Sequence, residues 1–266
     1  MGGFFGVVST SNCVSELFYG TDYHSHLGTK RGGMAVTSCN GNIVRRIHDI
    51  TNTQFRTKFD GVLGEFEGKC GIGVISDFED QPLIVSSRLG RYAIVTVGKI
   101  NNIEALANRS FRSGYSHFSE MSDGELNPTE MIASLINQKT SIIEGIEYAM
   151  DSIDGSCSLL IMLNGHVIAA RDKYGRTPIS LGKRDTDGAV AATMETSAFP
   201  NLDFSHLRDL GPGEIVEISP DRIVQHKKPG GINQICSFFW VYFGYPSSNF
   251  EGINTETARY RNGQSM

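Results

Sequence analysis

The chain has 266 residues, 39% of them hydrophobic and 20% charged, with a formal net charge of -5, which is enough to bury one large domain or a domain plus part of another. The acidic balance excludes the clustered Lys and Arg of a nucleic-acid footprint, and no run approaches the roughly 20 apolar residues of a membrane-spanning helix. The start lacks a secretory pattern, and five cysteines without a CxxC pair suit reduced thiols, so a cytoplasmic protein with no metal, cofactor, nucleic acid or membrane partner is expected.

In chain order, a strand is predicted over 4–9, followed by a short amphipathic helix over 14–21 with Cys13 as a buried thiol at its start. Strands follow over 71–76, 83–86 and 92–97. Asn127-Pro128-Thr129-Glu130 is a helix start, with Asn127 as cap and Pro128 in the first turn. It opens a helix over 129–138, whose Met131, Ile132, Leu135 and Ile136 recur at helical spacing, and a second helix covers 141–150. Strands over 157–163 and 166–170 flank Asn164-Gly165, a hairpin signal. Cys157 and Cys236 lie in apolar runs and read as small core residues. Further strands are predicted over 179–181, 189–193, 214–218 and 223–226. Thirty glycines punctuating short apolar runs, with a helical pair in the middle, indicate an α+β layered domain. The Gly-, Lys- and Pro-rich segment 227–233 reads as a linker, giving a boundary near 230.

The most specific segments are Arg171-Asp172-x-x-Gly175-Arg176-x-Pro178, Met194-Glu195-Thr196-Ser197-Ala198-Phe199, Leu210-Gly211-Pro212-Gly213-Glu214 and Trp240-Val241-Tyr242-Phe243-Gly244-Tyr245-Pro246-Ser247-Ser248. Together they resemble the N-terminal class-II glutamine amidotransferase domain of the amidophosphoribosyltransferase family and its passage into a phosphoribosyltransferase domain. The resemblance implies a four-layer αββα sandwich of two antiparallel sheets, the Ntn-hydrolase fold. It also implies an amidotransferase-like domain over 1–230, with 231–266 as the truncated start of a phosphoribosyltransferase region. Arg171 and Asp172 are expected to pair and pin a turn.

The residues that carry chemistry in the family are replaced here. Its nucleophile is an N-terminal cysteine whose own amine serves as base, and Gly2 stands in that place. Leu27 follows His26 where the family has an arginine. Ser76 replaces the arginine that clamps the substrate carboxylate, and a hydroxyl cannot reproduce that bidentate contact. At the oxyanion position Val97 replaces an asparagine, leaving the Gly98 backbone N–H, with Asn102 further on. Pro128 fills the position of the carboxylate that holds the substrate amine. Leu27, Ser76, Val97, Gly98, Asn102 and Pro128 are thus expected to surround a remnant glutamine pocket with no catalytic residue.

The expected role is that of an amidotransferase-like domain associated with purine nucleotide biosynthesis. It would not hydrolyse glutamine, and would act structurally or in regulation beside a phosphoribosyltransferase domain or subunit, with self-association left open. Two alternatives stand beside this reading: the active half of a glutamine-dependent, phosphoribosylamine-forming enzyme, and a small-molecule sensor using the remnant pocket. The aromatic run 238–243 is expected to be exposed.

Overall fold

A computed structural model describes residues 2–112, 114, 117–119, 121, 122 and 124–266. The chain opens with β1 (Gly2–Val8), α1 (Val14–Asp22), the hairpin β2 (Arg31–Thr37) and β3 (Ile43–Asp49), then α2 (Phe55–Asp60) and a single 3-10 turn at Leu63–Glu65. Next come β4 (Cys70–Ser76), β5 (Leu83–Ser87), β6 (Gly90–Ile100), α3 (Ile103–Arg112) and the minimal hairpin β7 (Met121–Ser122) and β8 (Glu125–Leu126). The helical pair α4 (Pro128–Ile136) and α5 (Ile142–Ser152) leads to β9 (Gly155–Leu163), β10 (His166–Ala170), β11 (Ser180–Lys183) and β12 (Val190–Thr193). The chain closes with α6 (Ala198–Asn201), β13 (Ser205–Asp209), β14 (Ile215–Ile218), β15 (Ile223–Lys227), a π-helical turn at Phe239–Phe243, β16 (Asn249–Phe250), β17 (Ile253–Asn254) and α7 (Thr255–Ser265).

Two antiparallel sheets hold the fold together. One has the order β13-β11-β12-β1-β4-β2-β3 and the other β15-β14-β10-β9-β6-β5. Strand alternation distributes their side chains to opposite faces: in β1, Phe4 and Val8 enter the core between the sheets, while Phe5 and Val7 face an outer layer. That outer layer contains Leu17 and Phe18 of α1, Phe55 and Phe59 of α2, and Phe199 of α6. On the second sheet, Ile94, Leu159 and Ile161 pack against Leu106 of α3, Met131 and Leu135 of α4, and Ile146 of α5. The result is the α+β, four-layer αββα arrangement expected from the resemblance.

Local chemistry explains most of the boundaries. Asn164 and Gly165 both take positive φ, 52° and 79°, as a two-residue hairpin loop of the right twist requires. Asn127 Oδ1 accepts from Thr129 N and Glu130 N at 2.8 and 3.3 Å, capping α4. Ser141 caps α5 by accepting from Glu144 N. The elements without a sequence-based prediction include β2, β3, α2, α3, α6, β13 and α7. Both β3 and β13 are edge strands with one hydrogen-bonded neighbour, and their half-exposed, charged sequences lack the apolar runs of interior strands.

Arg171 and Asp172 act differently from the expected ion pair. Buried Arg171 donates to the carbonyl oxygens of Leu210 and Gly175 and pairs with Glu251 at 2.6 Å. Asp172 instead accepts from the backbone N–H groups of Cys157, Tyr174 and Arg176. Adjacent residues in extended chain point apart, so each pins its own turn.

The segment after β15 folds back onto the sandwich. Gln234 N donates to Tyr174 O and Cys236 N to Arg176 O, and Phe239 and Phe250 enter the core between the sheets. The aromatic run is therefore divided: Phe239 is buried, whereas Phe238 and Tyr242 are 53% and 72% exposed.

Candidate functional site

The sandwich ends in a small cavity of about 100 Å³, lined among others by Gly2, Ser76, Glu79, Thr96, Val97 and Gly98. Sheet register brings these residues together. Gly2 in β1 is paired with Ser76 in β4, which is also paired with Arg31 in β2. From the second sheet, the end of β6 brings up Val97 and Gly98, opposite Ser158 and Cys157 of β9. Four sequence-predicted positions, Gly2, Ser76, Val97 and Gly98, thus converge on one space.

Each is locked by its surroundings. A Cβ on Gly2 would lie 2.4 Å from the Ile75 carbonyl oxygen, and one on Gly98 would be 2.0 Å from the Ser156 carbonyl oxygen. Both strands approach at these points as only glycine permits. Ser76 is buried and committed: its Oγ donates to Glu79 Oε2 at 2.6 Å and accepts from Phe78 N and Glu79 N at 3.2 and 3.1 Å. Val97 presents only methyl groups and belongs to the core between the sheets.

Thr96 is held by groups that sequence reasoning had not placed in the site. Gln81 brackets its backbone, Nε2 donating to Thr96 O at 3.0 Å and Oε1 accepting from Thr96 N at 2.7 Å. The Thr96 and Thr129 hydroxyl oxygens are 2.7 Å apart, tying β6 to the first turn of α4. The loop beyond β4 is anchored to the 28–29 turn, where Thr29 N donates to Asp77 Oδ1 at 2.8 Å.

A second cavity, of about 380 Å³, adjoins the first and shares Phe78, Glu79 and Gly98 with it. Pro128 lines this space, together with Lys99, Ile103 and Leu126. Leu27 and Asn102 line neither. Leu27 is buried behind the 24–27 turn, its N–H donating to His24 O. Asn102 joins α5 to β9, donating to Ser152 O and accepting from Asp154 N. A separate open groove of about 690 Å³ runs between α1, the 28–29 turn and residues 50–56.

Three of the five free cysteines, Cys13, Cys70 and Cys157, are buried. Burial, with Glu16 adding to it, pushes the Cys13 thiol up to about 12, and burial raises Cys70 and Cys157 as well. A thiol with a raised pKa is protonated and a poor nucleophile at neutral pH. Glu79 and Phe78 are the lining residues that sequence reasoning missed. Their signal was the spacing Ser76-x-x-Glu79, which lets a serine hydroxyl close a turn onto a carboxylate three residues later.

The other buried polar cluster ties the C-terminal segment to the sheet. Fully buried Glu195 accepts from Ser248 Oγ and from Tyr245 N at 3.2 Å, and its Oε1 lies 3.1 Å from His26 Nε2. His24 Nε2 accepts from Glu195 N, and Nδ1 sits 2.9 Å from Gly20 O. Burial lowers the His24 pKa to about 4, against the opposing pull of Glu195. Among the described residues no group of three or more His, Cys, Asp or Glu is placed to hold a metal ion, and no helix is long and apolar enough to cross a membrane.

Comparison with known proteins agrees with this architecture. Residues 71–200 match the family described as "Glutamine amidotransferase domain". The amidophosphoribosyltransferase of Methanocaldococcus jannaschii is 28% identical over 292 residues, covering 99% of this chain and 60% of that protein. The Bacillus subtilis amidophosphoribosyltransferase is 28% identical over 276 residues, covering 99% and 56%. The solved glutamine phosphoribosylpyrophosphate amidotransferase from B. subtilis, complexed with ADP and GMP, superposes with a TM-score of 0.87 at 27% identity over 98% of this chain and 57% of that one. The chain therefore spans a little over half the length of these relatives. With residues 71–200 matched by the domain family and nearly the whole chain aligned with these relatives, the chain contains a glutamine amidotransferase domain and is homologous over nearly its full length to the amidophosphoribosyltransferases.

Proposed function

We propose that this domain serves purine nucleotide biosynthesis without hydrolysing glutamine, acting as a structural or regulatory unit toward a phosphoribosyltransferase domain or subunit. The observation that carries this reading is the convergence of Gly2, Ser76 and Val97 on one cavity of about 100 Å³. A nucleophile, a carboxylate clamp and an oxyanion donor are needed within a few ångströms of one amide carbon. Here those positions present a hydrogen, a hydroxyl already bonded to Glu79, and an isopropyl group.

Loss of the charged clamp also works against binding. Removing one partner of a buried, hydrogen-bonded charge pair costs about 2–5 kcal/mol, and Glu79 places a carboxylate close to where a substrate carboxylate would go. The homologues' length supports a phosphoribosyltransferase region as the partner, with residues 231–266 as the lead-in to it. Purified chain, its mature N-terminus defined by mass spectrometry, is expected to release no ammonia from glutamine above background. Steady glutamine turnover that disappears on mutation of the cavity would overturn the reading.

A further inference from the structure

We propose that the joined cavities bind an organic amine, a ligand carrying one or two protonated amino groups on a short apolar chain and no carboxylate. The inference rests on the preceding reading, that the former glutamine site is remodelled. The larger cavity, about 380 Å³, opens between the end of β6, the first turn of α3 and the start of α4. That volume lies at the small-molecule end of the range for ligand sites. Phe78, Ile100, Ile103, Leu126 and Pro128 give it an apolar wall suited to methylene groups.

Its polar character is anionic. Glu79 stands at the junction of the two cavities, half-buried, with Oε2 fixed by the Ser76 hydroxyl at 2.6 Å. Its Oε1 makes no hydrogen bond among the described residues. A carboxylate oriented in advance and partly withdrawn from water forms a strong charge-assisted bond to an ammonium. Around the rim, Glu104 and Glu125 face one ammonium-bearing residue, Lys99. The α4 N-terminus offers no anion site, since Pro128 has no N–H and Asn127 occupies the N–H groups of Thr129 and Glu130. An amino acid brings a carboxylate that Glu79 repels and no guanidinium receives, whereas a simple amine satisfies the acid and fills the apolar wall.

The test is calorimetric titration and thermal denaturation of the intact chain with 1,5-diaminopentane, glutamine and glutamate as separate probes. Saturable binding of the diamine is expected, with a rise in Tm, and neither from the two amino acids. Glu79→Gln should weaken diamine binding about tenfold or more, the effect of losing one charged hydrogen bond. Ile103→Trp, which fills the cavity and leaves Glu79 in place, should abolish binding and decides the matter if the first variant misfolds. Absence of diamine binding, equal binding by Glu79→Gln, or equal binding of glutamate would each overturn the proposal. Glutamine turnover would instead overturn the non-hydrolytic reading, so the two failures are separable.

Discussion

Position 2 illustrates how a single backbone approach constrains chemistry. With a Cβ 2.4 Å from the Ile75 carbonyl oxygen, a cysteine there must push β1 away from β4 or twist the end of the strand. Gly2→Cys is therefore expected to destabilise by about 1–3 kcal/mol, as overpacked sites do, and to release no ammonia from glutamine. Chemical denaturation and an ammonia assay check both halves, and recovered turnover would mean that Ser76, Val97 and Pro128 suffice around a restored thiol. His24 makes a pH prediction at the same scale. Its folded pKa of about 4 lies below the ordinary value of 6.5, so the unfolded chain binds the proton more readily. Stability from the neutral, buried imidazole is thus fully present above pH 6.5 and is lost as pH falls toward 4, by about 3 kcal/mol in all. In His24→Asn, the slope of unfolding free energy against pH between 6.5 and 4 should drop by about one proton.

At the level of elements, α4 depends on its cap and on its link to β6. Asn127→Ala removes the acceptor for Thr129 N and Glu130 N and should cost about 1 kcal/mol in urea denaturation. The larger consequence is positional, because the Thr96–Thr129 contact next to that cap aligns the end of β6 with the cavity. The start of α4 was legible from Asn127-Pro128 because capping is written in consecutive residues. By contrast α3 was not predicted, although Leu106 and Ala107 do turn inward. It carries many polar residues, and its few apolar contacts depend on α4 being already in place. The strands β3 and β13 escaped for a related reason: an edge strand is held mainly by hydrogen bonds to one neighbour, which leave little trace in hydropathy.

Across the whole molecule, residues beyond β15 are joined to the sandwich by both apolar and polar contacts. Phe239 and Phe250 sit in the core between the sheets, Ser248 and Tyr245 bond Glu195, and Glu251 pairs with Arg171. Phe239→Ala should therefore cost about 3–5 kcal/mol, the range for emptying a buried aromatic site. Hydrogen exchange should then show faster opening of residues 237–254 than of β9 and β10. Unchanged stability would mean that this segment is dispensable to the sandwich.

The amino-acid sequence by itself determined the layered α+β class, the αββα sandwich through its family resemblance, the α4 cap and the β9–β10 turn. Those features are set by hydropathy period, by cap and turn chemistry, or by motifs of neighbouring residues, all local along the chain. Which of the predicted positions share a cavity was decided only by tertiary structure. Gly2, Ser76, Val97 and Gly98 meet because strands of two sheets end together, whereas Leu27 and Asn102, equally conspicuous in sequence, are spent on a turn and a loop. The role of Glu79 was invisible for the same reason. A carboxylate acquires its meaning from what faces it, and here that is a serine hydroxyl and an apolar cavity wall, each brought up by a different part of the fold.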